Sequence, residues 1–284
     1  MELFKQLDVR PLLRRALDED LGQGDVTTAA TVAPGRLGRA RIVVKESTRI
    51  VFCGGILLAD IFSMAGAEPR VAALSAEGKS LECGAMAAEI EGGLAGLLIG
   101  ERTALNFVQL MSGIATMTRR YVDAISGTRA RIIDTRKTHP GLRAIEKYAV
   151  RAGGGFNHRF ALDSGVLIKE NHIAAAGSVR EALEGARRLA PHTIRVQIEC
   201  ETIVQIEEAL VCGADSILLD DMTLEDIRRA RAMAPEGRVL LEVSGGVTLS
   251  TVRAIAETGV DLISVGALTH SAPVVDLSMR IDPL

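Results

Sequence analysis

The chain has 284 residues, 48% hydrophobic and 24% charged, which is enough for one large α/β barrel domain or about two ordinary domains. Its formal net charge is −3 and it holds six Phe, two Tyr and no Trp, a poor basis for a basic nucleic-acid coat or a base-stacking platform. No apolar run reaches the ~18 residues of a membrane span, the first residues lack the basic-then-apolar order of a secretion signal, and four scattered cysteines form no CxxC pair, so the expectation is a cytoplasmic protein with no nucleic-acid or membrane partner, no zinc site and no disulfide framework.

In chain order, Pro11 to Leu21 predicts an amphipathic helix with Leu12, Leu13, Ala16 and Leu17 on one face. Arg39 to Phe52 is rich in β-branched residues and ends at Gly54-Gly55. Ile56 to Ala65 reads as a helix, and 70–75 and 86–91 read as short strands. The first hundred residues are therefore mixed α and β, without a chemistry-bearing cluster. Glu101 to Ile125 carries apolar residues close to a 3.6 period and stops at Gly127, a helix connecting two domains.

Beyond it the rhythm changes. Apolar runs at 130–133, 166–168, 194–198, 217–219, 239–241 and 262–265 predict six strands. Helical patterns at 142–152, 178–190, 202–211, 223–234 and 249–258 separate most of them. Such alternation implies parallel βαβ units, and continuous apolarity implies strands covered on both faces. Each strand ends in chemistry: Asp134-Thr-Arg-Lys, Lys169-Glu-Asn-His, Glu199, Asp220-Asp221, Glu242 with Ser244-Gly-Gly, and Gly266. Six contributing strand ends favour a barrel mouth over the single switch point of an open sheet.

Between Asp134 and His172 seven Lys or Arg stand against four acids, with three of the five histidines. A basic island in an acidic chain suggests a site for a small polyanion. Arg136 offers a planar fork for a carboxylate and Lys137 a point charge for a phosphate, flanked by Thr135. The run Gly153-Gly-Gly-Phe-Asn-His-Arg exposes backbone N–H groups, adds a second fork in Arg159, and leaves His158 to stack on a flat ring or to donate a hydrogen bond. Lys169 is a Schiff-base nucleophile, a fixed cation for an anion, or the partner of Glu170. Glu199 and Asp220 suit ribose hydroxyls, or Mg²⁺ bridging to a polyphosphate directly or through water. Ser244-Gly245-Gly246 and Val265-Gly266-Ala267, each read as leading into a helix N-terminus, suit a phosphate. Cys200 has no base beside it and receives no role.

Taken together, Asp134-Thr-Arg-Lys-Thr, Glu146-Lys-Tyr-Ala-Val-Arg, Gly153-Gly-Gly, Asn157-His-Arg and Leu167-Ile-Lys-Glu-Asn-His-Ile resemble the quinolinate phosphoribosyltransferase family. Glu101-Arg-Thr, Ser244-Gly-Gly and Val265-Gly-Ala-Leu-Thr match as well, so the resemblance runs from about residue 10 to about 275. Glu170 stands where the family more often has Asp.

The resemblance implies an N-terminal α/β sandwich domain over 1–105 and an incomplete (β/α) TIM-like barrel over 106–269, with the tail 270–284 able to pack back onto the sandwich. It implies a homodimer, with higher assembly left open. It further implies a Mg²⁺-dependent reaction of quinolinate with phosphoribosyl pyrophosphate, giving nicotinate mononucleotide, pyrophosphate and CO₂ on the way to NAD. By match, Arg102 enters the partner's site, and Arg136, His158, Arg159 and Lys169 surround quinolinate. Lys137 and Lys169 face the sugar donor, Glu199 and Asp220 serve its hydroxyls and the metal, and the glycines at 245, 246 and 266 hold its 5′-phosphate. Lys137, Lys169, Glu199 and Asp220 are the catalytic candidates. A molybdenum-associated relative shares the fold and the Asp-Thr-Arg-Lys segment, but not the full Asn-His-Arg and Lys-acid-Asn-His set, and is the runner-up. A Schiff-base aldolase and a non-catalytic binder of anionic metabolites are the other rivals.

Overall fold

A computed structural model describes residues 8–234 and 237–284. The chain forms two compact units. The first comprises the chain up to Arg119 together with His139–Gly154 and Thr269–Leu284; the second comprises Arg120–Thr138 and Gly155–Leu268.

The first unit begins with α1 (Arg10–Leu21), which opens on Pro11 in its first turn and buries Leu13 and Leu17. Helix α2 (Val26–Thr31) has no counterpart in the sequence reading; the Asp25 carboxylate caps it by accepting from the Thr27 and Thr28 N–H groups. Strand β1 (Leu37–Val44) alternates buried and half-buried residues. Next come β2 (Ile50–Val51), α3 (Leu58–Met64), β3 (Arg70–Leu74), β4 (Ser80–Leu81) and β5 (Met86–Gly93). The long helix α4 (Leu94–Ala124) starts seven residues earlier than the periodicity predicts and continues from one unit into the other. Within the first unit its Thr116 and Ser112 hydroxyls accept from the Val51 and Cys53 N–H groups, at 2.8 and 2.9 Å.

The second unit opens with β6 (Arg131–Ile133). Helix α5 (Arg143–Ala152) lies in the stretch assigned to the first unit. The second unit then alternates: β7 (Val166–Ile168), α6 (Glu170–Ala176), α7 (Val179–Leu189), β8 (Val196–Cys200), α8 (Ile203–Val211), β9 (Ser216–Asp220), α9 (Leu224–Met233), β10 (Leu240–Ser244), α10 (Val252–Ala256) and β11 (Leu262–Ser264), and the short α11 (Ala267–His270) spans the division between the units. Strand β12 (Leu277–Pro283) belongs to the first unit, where it pairs antiparallel with β1 in a four-stranded sheet of order β12-β1-β5-β3.

The six strands of the second unit form a parallel sheet of order β6-β11-β10-β9-β8-β7. The last strand therefore pairs with the first, and every other neighbour is consecutive in sequence. This is the circular order of a barrel with one ladder missing, between β6 and β7. A doubly wound sheet would instead reverse direction from a central strand. Strand β8 is buried along its whole length and β9 along all but its last residue, as expected for strands covered on both faces. Phe156 partly fills the open ladder through a single parallel bridge to Ile133, with its N–H donated to the Ile132 carbonyl at 2.8 Å. No helix among the described residues is long and apolar enough to cross a membrane.

Candidate active site

The strands run further than their apolar runs suggest, and this relocates two acids. Glu199 is the fourth residue of β8, and Glu242 the third of β10, not residues beyond a strand end. Asp220 does close β9.

Around β6 the site is built on Asp134, which is fully buried. Its carboxylate accepts from the Asn157 side-chain amide at 2.6 Å and from the His158 N–H at 2.8 Å. The Asn-His-Arg segment is thereby tied to the end of β6. Thr135 turns the chain by accepting the Lys137 N–H at 2.9 Å. Arg136 and Arg159 come close enough that the charge on Arg136, after the larger effect of burial, lowers the pKa of Arg159. Each carries a buried Nε without a hydrogen-bond partner among the described residues, and neither makes an ion pair there. Arg159 is steadied by one bond, from Nη1 to the Gly165 carbonyl at 2.7 Å. Two half-buried forks of like sign without a carboxylate form a receptor for an anion.

Of the two sequence readings of His158, donation to a ligand does not fit the ring's hydrogen bonds. Its Nδ1 accepts the Arg159 N–H at 2.7 Å, and its Nε2 meets the Gln197 side-chain oxygen at 3.1 Å. Both ring nitrogens are engaged within the protein, so neither offers an N–H to a ligand.

At the neighbouring strand ends Lys169 is the residue before α6, and its Nζ donates to Glu199 Oε2 at 2.6 Å. Its partner is thus Glu199; the Glu170 carboxylate accepts instead from the Asn171 side chain at 2.6 Å. Burial raises the pKa of Glu199, the Lys169 ammonium opposes that, and the nearby charge of Asp220 adds to it. Glu199 and Asp220 therefore share one electrostatic neighbourhood at the ends of adjacent strands. Cys200 beside them is buried, which pushes its thiol up to about 12, so it stays protonated.

Of the two glycine loops, the first differs from expectation in how it ends. After Gly245 and Gly246 the first helical residue is Val252, and that helix has five residues, so no helix N-terminus backs this loop directly. Gly245 has φ +90°, and a Cβ there would stand 2.8 Å from the Asp221 nitrogen. Only glycine fits, and the backbone at 244–246 lies open to a ligand. In the other loop the Val265 N–H is committed to the Ile133 carbonyl at 3.0 Å and its side chain is buried. Gly266 and Ala267 follow, with Ala267 already the first residue of α11.

Of the glycine run, Gly153 is buried by close packing rather than poised for a ligand: a Cβ would meet the Ala115 carbonyl oxygen at 2.5 Å. Arg102 belongs to the first unit, as an exposed residue well inside α4 rather than at its start. The residues that sequence reasoning passed over are Gln197, Ser216 and Ser264, buried polar residues inside otherwise apolar strands. Their polarity within those runs was the available signal. No cluster of three or more potential ligand side chains for a metal occurs among the described residues.

The comparisons with known proteins agree with this geometry. Residues 25–112 match the family model for the quinolinate phosphoribosyl transferase N-terminal domain, and residues 114–280 that for the C-terminal domain. The chain is 42% identical over 278 residues to a Bacillus subtilis protein named probable nicotinate-nucleotide pyrophosphorylase (carboxylating), covering 98% of this chain and 95% of that one. It is 43% identical over 279 residues to a Mycobacterium leprae protein named nicotinate-nucleotide pyrophosphorylase (carboxylating), covering 96% of each. A crystal structure of NadC from Streptococcus pyogenes superposes with a TM-score of 0.92 at 39% identity, covering 97% of each chain. These full-length matches do not favour a molybdenum-associated relative. The chain belongs to the quinolinate phosphoribosyltransferase family.

Proposed function

We propose that this chain transfers a phosphoribosyl group from phosphoribosyl pyrophosphate to quinolinate, releasing pyrophosphate and CO₂ and leaving nicotinate mononucleotide. The observation that carries this reading is the Arg136–Arg159 pair: two half-buried guanidinium groups, close together, with no counter-charge among the described residues. Quinolinate is a planar dianion, and two forks match its two carboxylates. The imidazole face of His158 lies beside Arg159 and suits a flat pyridine ring.

The ring nitrogen attacks C1 of the ribose as the bond from C1 to the pyrophosphate oxygen breaks. Positive charge develops on the sugar; the carboxylates of Glu199 and Asp220 stabilise it and accept ribose hydroxyls. Lys169 and Lys137 draw negative charge toward the leaving pyrophosphate. Positioning of two charged reactants supplies much of the acceleration, up to ~7–11 kcal/mol in favourable systems. The C–C bond to the carboxylate beside the alkylated nitrogen then breaks. Its electron pair stays on the ring carbon next to the positive nitrogen and is quenched by a solvent proton, so no separate electron sink is needed.

Mg²⁺ would be held by Glu199 and Asp220 and would neutralise charge on the pyrophosphate. The donor set fits: two hard carboxylates on adjacent strands match an ion that typically takes one or two of them and completes its shell with phosphate oxygens and water. The backbone at Ser244, Gly245, Gly246, Gly266 and Ala267 receives the 5′-phosphate. The working form is a cytoplasmic homodimer in which Arg102 completes the partner's site. A Schiff-base reading of Lys169 is disfavoured because its ammonium is already engaged by Glu199. Incubation with quinolinate, phosphoribosyl pyrophosphate and Mg²⁺ should yield nicotinate mononucleotide; quinolinate binding without CO₂ or pyrophosphate release would leave a metabolite binder instead.

A further inference from the structure

The second unit holds a directed chain of hydrogen bonds beneath the strand ends that the reaction itself does not use. Its upper end is the Arg159 N–H, which is only a donor. His158 Nδ1 accepts it at 2.7 Å, so Nδ1 carries no proton and Nε2 does. Nε2–H then donates to Gln197 Oε1 at 3.1 Å. That fixes the Gln197 amide with its NH₂ turned away, donating to Glu242 Oε2 at 2.7 Å and to Ser216 Oγ at 3.3 Å. The Ser216 hydroxyl passes its own proton to the Leu240 carbonyl at 3.1 Å. The two ends agree: the Arg159 N–H can only donate to Nδ1, and Gln197, held with its NH₂ on Glu242 and Ser216, presents its oxygen to Nε2–H. Gln197 is 8% and Glu242 1% exposed, so both are shielded from bulk water.

We propose that Gln197 and Glu242 are positioning residues that lock His158 as its neutral Nε2–H tautomer and thereby hold the Arg159 backbone against it, shaping the subsite for the planar dianion. An imidazolium would place a second N–H against the Arg159 N–H and break the anchor. Asp134 supports the same segment from β6 through the His158 N–H. The kinetic part of this proposal rests on the function given above; the tautomer does not.

The test uses the intact, ligand-free protein labelled with ¹⁵N-histidine, with the His158 signals assigned by comparison with His158→Asn. Expected is an unprotonated Nδ1 and a protonated Nε2 in the wild type, giving way to mixed tautomers in Gln197→Met. Quinolinate KM should rise about tenfold in Gln197→Met, the loss of one ordinary buried hydrogen bond, with the KM for phosphoribosyl pyrophosphate nearly unchanged. Glu242→Gln, whose amide oxygen still accepts from Gln197, should raise quinolinate KM less than Glu242→Leu. A protonated Nδ1 in the wild type overturns the proposal without any variant. So does an unchanged His158 spectrum in Gln197→Met and Glu242→Leu, or an equal rise of both KM values. If the wild type makes no nicotinate mononucleotide, the function fails while the tautomer result still decides the lock.

Discussion

The arginines of the first unit and those at the strand ends of the second are treated in opposite ways. On the sheet formed by β1, β3 and β5, charge is answered across the strands: Arg39 bonds Glu91 at 2.8 Å, Arg41 bonds Glu89 at 2.7 Å, and Arg70 also pairs with Glu91. These are register pairs, since Arg39 lies opposite Glu91 and Arg41 opposite Glu89. In the second unit Arg136 lies near enough to lower the pKa of Arg159, and neither makes an ion pair among the described residues. Folding gains nothing from such an arrangement, so the second pair is explained by a ligand and the first by the sheet.

Four experiments sharpen or break that contrast. The largest effect should come from Arg136→Ala or Arg159→Ala. A hydrogen bond to a charged group is worth ~1.5–3 kcal/mol, so quinolinate KM should rise about 100-fold in steady-state kinetics. Thermal stability should hold or increase as like-charge repulsion is relieved, and an unchanged KM in both variants would end the carboxylate assignment. Next, mixed and refolded Arg102→Ala and Lys137→Ala subunits should recover part of the activity that each alone has lost; mixtures as inactive as their parents would count against a shared site.

The third concerns Glu242, which burial pushes up to about 7. The folded state then binds a proton more tightly than the unfolded chain, so stability is greatest below the ordinary carboxylate range and falls as pH rises toward 7. The total is on the order of 3 kcal/mol. Glu242→Gln should flatten that slope in denaturant titrations between pH 4.5 and 8; an identical slope would show the acid is not the cause. The smallest effect belongs to Arg70→Ala, an exposed partner in a surface pair. Both KM values should stay at wild-type level and the melting temperature should barely move, and a large change in either KM would erase the distinction between structural and ligand-directed arginines.

Much of the second unit was legible because a strand buried on both faces must be apolar throughout, and the runs at 166–168, 194–198 and 217–219 fall on β7, β8 and β9. What was missed is short or polar. Helix α6 is seven residues with none buried, so no apolar period marks it. Strand β12 forms only because β1 offers an edge more than two hundred residues away. Val265, the end of an apolar run and also the start of a candidate phosphate loop, gives its N–H to the Ile133 carbonyl of β6, a commitment that no local pattern marks.

The sequence by itself determined the alternation of strands and helices, the basic island from Asp134 to His172, and the family's motif set, because these are carried by residue type and local spacing. Tertiary structure alone decided who pairs with whom: Lys169 with Glu199 rather than Glu170, and the His158 Nε2 with Gln197. The physical reason is that a side chain's charge and donor pattern are local properties, whereas its partner is set by strand order and register, which bring together residues 30 to 45 positions apart.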